Sequence, residues 1–280
     1  MRIHLPAHIG FCFGVRRAIE VVEAQLEKNT DSVYCLGDLI HNPGVMDKLA
    51  SKGLCVVRAL NEVSSGTVFT RAHGVDPAIL QEGEERGLRM IETTCPYVRR
   101  VQELARSLAE QSYHLVVVGS SDHPEVKGVI AAARTSSYTV VETEQDLEQL
   151  PREGKLGVVV QTTESLDNLR NIVKNLIDNH LELRLFNTIC QVVLDRRAET
   201  VEMSREVGAM VVLGGRQSSN TRQIAELCHS QSVVTFLVER AEELDLNSIK
   251  HHGIIGLTGG TSTPASAIKD LRKKLAVSRL

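Results

Sequence analysis

The sequence predicts an α/β protein of three small, pseudo-threefold-related lobes, each a parallel sheet with flanking helices, their sheet ends turned toward one central cavity. Three observations carry this. One local pattern occurs three times in the same order along the 280 residues. Strand-like runs alternate with helix-period segments, which argues parallel sheets joined by right-handed crossovers. The polar residues able to do chemistry fall where strands end, the side on which open parallel sheets bind ligands.

Each repeat opens with an extended apolar stretch, a cysteine and then an Arg-Arg pair: MRIHLPAHIGFCFGVRRA (1–18), LRMIETTCPYVRRV (88–101) and LRLFNTICQVVLDRRA (183–198). Segments with apolar residues three and four apart follow Arg16/Arg17, Arg99/Arg100 and Arg196/Arg197, predicting helices. Next come short β-branched runs ending in glycine, SVYCLG, LVVVG and MVVLG, at Gly37, Gly119 and Gly214. Beyond those glycines stand His41, His123 and Ser218. A second strand-like run then empties into a polar loop: TVFTRAHG with His73, GVVVQTTES with Thr162 and Thr163, and GIIGLTGGTSTP with Ser262. The expected lobes are 13–94, 95–187 and 188–280, the last joined by 1–12.

Composition narrows the function. A formal net charge of -3 offers no basic field for nucleic acid. Aromatic content of 3% with no Trp argues against base-stacking or carbohydrate platforms. The N-terminus lacks the apolar core of a signal peptide, and no run of about 18 apolar residues occurs, so a cytoplasmic protein is expected. Six cysteines in a reducing compartment are then thiols or metal ligands rather than disulfides.

Cys12, Cys95 and Cys190 hold equivalent places, each between a strand and a helix, where a helix N-terminus favours the metal-binding thiolate. Cys35, Cys55 and Cys228 are expected to be small buried apolar residues. Three symmetric thiolates fit zinc, although the close cysteine pairs of structural zinc sites are missing. They also fit an iron–sulfur cluster with three cysteines and one open iron.

His41, His73 and His123, with Thr162, Thr163, Ser218, Ser219, Asn220 and Ser262, form a set of imidazole, hydroxyl and amide donors. Any one of the Ser, Thr or Asn residues alone would read as a helix N-cap. Several helix N-termini together suit a polyanion such as diphosphate. Neither a nucleotide P-loop nor a dinucleotide-binding glycine fingerprint is present. Glu125, in His-Pro-Glu-Val, reads either as complementing a helix dipole or, if desolvated, as a proton donor.

The motifs GFCFGVRRA, HNPGV, RAHGV, TTCP, DHPEVKG, QTTES, NTIC, SSNT and TSTP occur in that order. On them the chain resembles the 4-hydroxy-3-methylbut-2-enyl diphosphate reductases, the LytB/IspH family, over essentially its full length. The resemblance implies three lobes around one [4Fe–4S] cluster held by Cys12, Cys95 and Cys190, with one open iron. It implies the last step of the non-mevalonate isoprenoid pathway: removal of an allylic hydroxyl with two electrons and two protons, giving isopentenyl and dimethylallyl diphosphates. It places the diphosphate on His41, His73, His123, Ser218, Ser219, Asn220 and Ser262. It makes Glu125 the proton donor and has Thr162 hold the substrate hydroxyl beside Thr163. An external electron donor, a ferredoxin or flavodoxin, is implied as partner.

After the third cysteine the chain reads CQVVLDRRA, so Val193 and Arg197 stand where many members have Thr and Gln. One hydroxyl contact to substrate is lost while the three cysteines are kept. Two other readings compete with the reductase: a cysteine or zinc hydrolase acting on a phosphorylated substrate, and a non-catalytic module binding a phosphorylated metabolite. Neither accounts for three matched cysteines.

Overall fold

The computed structural model describes residues 2–28, 31–179 and 182–277. Residues 1 and 278–280 of the expected third lobe lie outside the described residues, as do 29–30 and 180–181. The elements run β1 (Arg2–His4), α1 (Phe13–Leu26), β2 (Val33–Leu36), α2 (Pro43–Ser51), β3 (Leu54–Val57), β4 (Thr67–Phe69), α3 (Pro77–Glu85) and β5 (Arg89–Ile91). They continue with α4 (Pro96–Glu110), β6 (His114–Val118), α5 (Pro124–Ala133), β7 (Tyr138–Val141), β8 (Lys155–Val160), α6 (Leu166–Asn179) and β9 (Glu182–Leu185). The last are α7 (Gln191–Ser204), β10 (Ala209–Leu213), α8 (Ser219–Ser230), β11 (Val234–Val238), α9 (Leu246–Ile249), β12 (Ile254–Gly259) and α10 (Ala265–Val277).

Three four-stranded parallel sheets result, with one strand order. They run β3-β2-β4-β5, β7-β6-β8-β9 and β11-β10-β12-β1. In the third, the edge place is taken by β1, with Arg2 opposite Ile254 and His4 opposite Gly256. Each cysteine of the repeat therefore follows the same edge strand of its sheet: β1, β5 or β9. The expected three-lobed α/β fold is observed.

Parallel strands covered on both faces read as unbroken apolar runs. β10, AMVVL, is buried at every position. Helix α4 shows the complementary pattern, with Val98, Val101, Leu104, Ala105 and Leu108 buried at spacings of three and four. Leu108, 1% exposed, lies over Gly157 of β8, where an added Cβ would come within 2.7 Å of its side chain. The glycine is therefore a packing requirement of the sheet face. Burying a leucine of this kind contributes roughly 1.5–3 kcal/mol.

Two expectations need correction. The Arg-Arg pairs lie inside the helices rather than before them: Arg16 N–H already bonds the Cys12 carbonyl and Arg99 N–H that of Cys95. In the second repeat the helix begins at Pro96, whose preset φ suits the first helical turn. Cys55 is exposed, whereas Cys35 and Cys228 are buried. It sits on the edge strand β3, where Val56 beside it is also 46% exposed.

The chain groups into two compact units. One comprises Met1–Ile19, Ile40–Lys52 and Gln191–Leu280 and contains the third sheet and α2. The other comprises Glu20–Leu39 and Gly53–Cys190 and contains the first and second sheets. No helix among the described residues is long and apolar enough to cross a membrane.

Candidate active site

The three cysteines share one backbone setting. Cys95 N–H donates to the Ala72 carbonyl, Cys190 N–H to that of Thr162, and Cys12 N–H to that of Thr261. In every case the acceptor lies in the loop after the third strand of the repeat, immediately before His73, Thr163 or Ser262. Each loop is thus tied to its cysteine by one hydrogen bond. None of the three cysteines is in a disulfide, all are of intermediate exposure, and Val15 N–H points at Cys12 Sγ, 3.5 Å away. That N–H belongs to the first turn of α1. Burial pushes the thiol of Cys35 up to about 12 and that of Cys228 up to about 11. Among the described residues, no group of three or more His, Cys, Asp or Glu side chains stands at the spacing for a single metal ion.

In the unit carrying Cys95 and Cys190, the predicted residues form a continuous series. The rings of His73 and His123 meet edge to face, centroids 5.6 Å apart. His123 Nδ1 accepts from Glu125 N–H at 3.2 Å and so caps α5. An acceptor Nδ1 leaves the proton of the neutral ring on Nε2, which is then a donor. Glu125 is 1% exposed. Thr162 N–H donates to its Oε1 at 2.6 Å and the Thr162 hydroxyl to its Oε2 at 2.9 Å. Burial pushes the carboxyl up to about 7, because losing water disfavours the anion more than the two Thr162 bonds favour it. Glu125 thus stands in the first turn of α5, where it complements the helix dipole, and is desolvated as well.

Gln161 was not singled out from sequence. It is 2% exposed; its Oε1 accepts from Ser120 N–H at 3.1 Å and its amide donates to Thr163 Oγ1 at 2.9 Å. A Cβ at Gly119 would stand 2.7 Å from Gln161, and Gly119 has φ +153, so only glycine fits the turn. The QTTES motif was the available signal.

The other unit assembles a second set beside Cys12. Ser218 caps α8, accepting from Thr221 N–H. Asn220, in the first turn, is 1% exposed, and neither atom of its amide has a hydrogen-bond partner. Leaving a buried polar group unpaired costs roughly 1–3 kcal/mol, a cost that a ligand bonding this amide would remove. The Ser262 hydroxyl donates to the His41 carbonyl at 3.3 Å. Asn42, one residue past His41, caps α2 through Oδ1 and donates from Nδ2 to the Ser262 carbonyl at 2.9 Å. Sequence reasoning placed weight on His41 and passed over Asn42, although Asn-Pro is a helix-start signal. Val193 is 2% exposed, and Arg197 bonds the Gln223 side chain.

Three lobes, each a parallel sheet presenting one cysteine at a strand–helix junction beside a polar loop, define the class: a three-lobed α/β protein with a threefold thiol set. More narrowly, the chain belongs to the LytB protein family, whose sequence profile matches residues 3–276. It is 38% identical over 275 residues to the 4-hydroxy-3-methylbut-2-enyl diphosphate reductase of Trichlorobacter lovleyi, covering 98% of each chain. To that of Geobacter metallireducens it is 37% identical over 275 residues, covering 98% of this chain and 97% of the relative. Among solved structures, the E-1-hydroxy-2-methyl-but-2-enyl-4-diphosphate reductase from Plasmodium falciparum superposes with a TM-score of 0.92 at 29% identity, over 98% of this chain and 88% of that one. A second, an (E)-4-hydroxy-3-methyl-but-2-enyl diphosphate reductase described as the terminal enzyme of the non-mevalonate pathway, gives a TM-score of 0.74 at 31% identity. It covers 99% of this chain and all of that one.

Proposed function

We propose that this chain is an iron–sulfur reductase that removes the allylic hydroxyl of 4-hydroxy-3-methylbut-2-enyl diphosphate. The observation that carries the reading is the threefold repetition of one cysteine in one backbone setting, in a chain similar along its whole length to reductases of that name. The donor set fits a [4Fe–4S] cluster, one per chain: three half-buried thiols outside any disulfide, one of them receiving a helix N–H. A cube places its thiolates on different irons, so Cys12, Cys95 and Cys190 need not converge on one ion. The repeating units on this reading are 13–94, 95–187 and 188–280 with 1–12.

When bound, the cluster held by Cys12, Cys95 and Cys190 would pass electrons from the external donor to the substrate one at a time and would offer an iron that no cysteine holds. The chain's own residues do the rest. Asn220, Ser218, Ser219, Ser262 and the imidazoles of His41, His73 and His123 hold the diphosphate, in part through the N-terminus of α8. Glu125 is half protonated near pH 7, which suits an acid that must give and regain a proton at neutral pH. The Thr162 hydroxyl, which donates to Oε2 in the empty site, turns to donate to the leaving oxygen and accepts the Glu125 proton in its place, with Thr163 alongside. Carbon–oxygen cleavage takes up two electrons and two protons, one proton leaving in water and one entering the product carbon. The products are isopentenyl and dimethylallyl diphosphates. The electrons come from an external donor of the ferredoxin or flavodoxin kind, and the enzyme works in the cytoplasm.

The test is anaerobic purification. About four iron and four sulfide per chain are expected, with reduction of the allylic diphosphate by an artificial donor. A colourless protein that cannot be reconstituted, or a loaded one that leaves the substrate unchanged, would overturn the proposal.

A further inference from the structure

Arg196, in the second turn of α7, is 3% exposed, yet it carries a permanent charge. Its Nη1 donates to the carbonyls of Gly259 and Gly260 at 3.2 and 3.1 Å, and its Nη2 to the carbonyl of Gly10. The three acceptors are not arbitrary. Gly10 lies two residues before Cys12. Gly260 immediately precedes Thr261, whose carbonyl receives Cys12 N–H, and Ser262 follows. Neither segment has slack. Gly10 has φ +88, and a Cβ there would stand 3.0 Å from that of Ala265. A Cβ on Gly260 would come within 2.1 Å of Thr221 Oγ1.

Gly259 pairs with Leu213 in the sheet and Gly260 N–H donates to the Leu213 carbonyl, but glycine has the widest conformational freedom, which leaves the direction of its carbonyl less fixed. One planar guanidinium reaching three carbonyls from two segments supplies that constraint. The rigid fork matters here, because an ammonium is a single point with shorter reach. We propose that Arg196 is a positioning residue, clamping the two glycine segments that present the Cys12 thiol and the Ser262 hydroxyl. The proposal rests on reading Cys12 as a cluster ligand and Ser262 as a diphosphate contact.

The experiment uses Arg196→Lys, which keeps the charge, and Arg196→Met, which keeps only the stem. In cluster-free protein, the alkylation rates of Cys12, Cys95 and Cys190 by iodoacetamide are read peptide by peptide by mass spectrometry. A local clamp predicts that Cys12 reacts at least about fivefold faster in both variants while Cys95 and Cys190 stay within about twofold. In reconstituted protein, iron loss to a chelator should accelerate by at least about fivefold, and Arg196→Lys should fall between wild type and Arg196→Met. A Cys12 rate within about twofold of wild type overturns the proposal. So does equal acceleration of all three thiols, which marks general loosening. Should Arg196→Met not fold, Gly10→Ala strains the same segment from the other side without touching the guanidinium. It must then show the same Cys12-selective acceleration, and its failure to do so also overturns the clamp. The underlying reading is tested separately: Cys12→Ser with a full complement of iron would remove Cys12 as a ligand, whatever the alkylation rates.

Discussion

Replacing Glu125 by Gln should make the protein more stable and nearly inactive. The carboxyl is buried, and its ionisation is pushed from 4.5 to about 7, which corresponds to about 3 kcal/mol at about 1.36 kcal/mol per pH unit. Between those values the folded chain holds a proton that the unfolded chain has released. Stability from the neutral carboxyl is therefore complete below pH 4.5 and is lost as pH rises through 7. Glutamine is neutral throughout and can still accept the Thr162 N–H and bond its hydroxyl. In urea unfolding of cluster-free protein, wild type and Glu125→Gln should agree within about 1 kcal/mol at pH 5, with the variant about 3 kcal/mol more stable at pH 8. In single-turnover reduction with an artificial donor, the variant should keep its iron and its substrate affinity. Its kcat should drop by at least about a hundredfold, the usual worth of general acid catalysis. Parallel pH profiles for the two proteins, or a fully loaded variant with kcat within about threefold of wild type, would refute the reasoning.

Serine at Cys12, Cys95 or Cys190 should each abolish the cluster, while alanine at Cys35, Cys55 or Cys228 leaves iron content near wild type; equal loss across all six is the contrary result. Within the second group, exposed Cys55 should be alkylated readily at pH 8 while Cys35 and Cys228, with thiols pushed up to about 12 and about 11, resist in the folded state. The alcohol lacking the diphosphate should bind at least about a hundredfold more weakly by calorimetry, near 2.8 kcal/mol, since the donors proposed for the pocket address charge rather than hydrocarbon. Asn220→Ala should weaken diphosphate binding by about ten- to a hundredfold without lowering the stability of the empty protein. A stability loss of about 2 kcal/mol or more would show instead that the amide is paired inside the fold.

Much of the fold was legible because it depends on local pattern. Val116, Val117 and Val118 before Gly119 read as a buried strand running into a turn, and the same signal at Val211 to Gly214 made the repeat visible. The equivalence of Cys12, Cys95 and Cys190 was legible for the same reason. Strand order was not, so exposed Cys55 on the edge strand β3 was expected to be buried. Glu125 was ambiguous because Pro-Glu looks alike in water and in a core; only tertiary burial separates them. Arg196 was noticed as half of an Arg pair, but its acceptors lie 63, 64 and 186 residues away in the chain. Such partners leave no local trace. Asn42 was overlooked beside His41 because an imidazole draws attention that a capping amide does not.

The pairing of β1 with β12 joins Arg2 to Ile254, and it sets a timetable for biogenesis. The segment leading to Cys12 leaves the ribosome well before its sheet neighbour, which emerges about 250 residues later, roughly 12–50 s at ordinary rates of synthesis. Through that interval β1 has no strand to lie against, and the carbonyl that receives Cys12 N–H has not been made. The first two sheets, whose strands are near neighbours in sequence, can form during this time. The backbone settings of Cys95 and Cys190 can therefore form before that of Cys12, so on the proposed cluster reading iron delivered early would meet an incomplete set of thiols. On the proposed cluster reading, insertion waits until β1 has paired with β12.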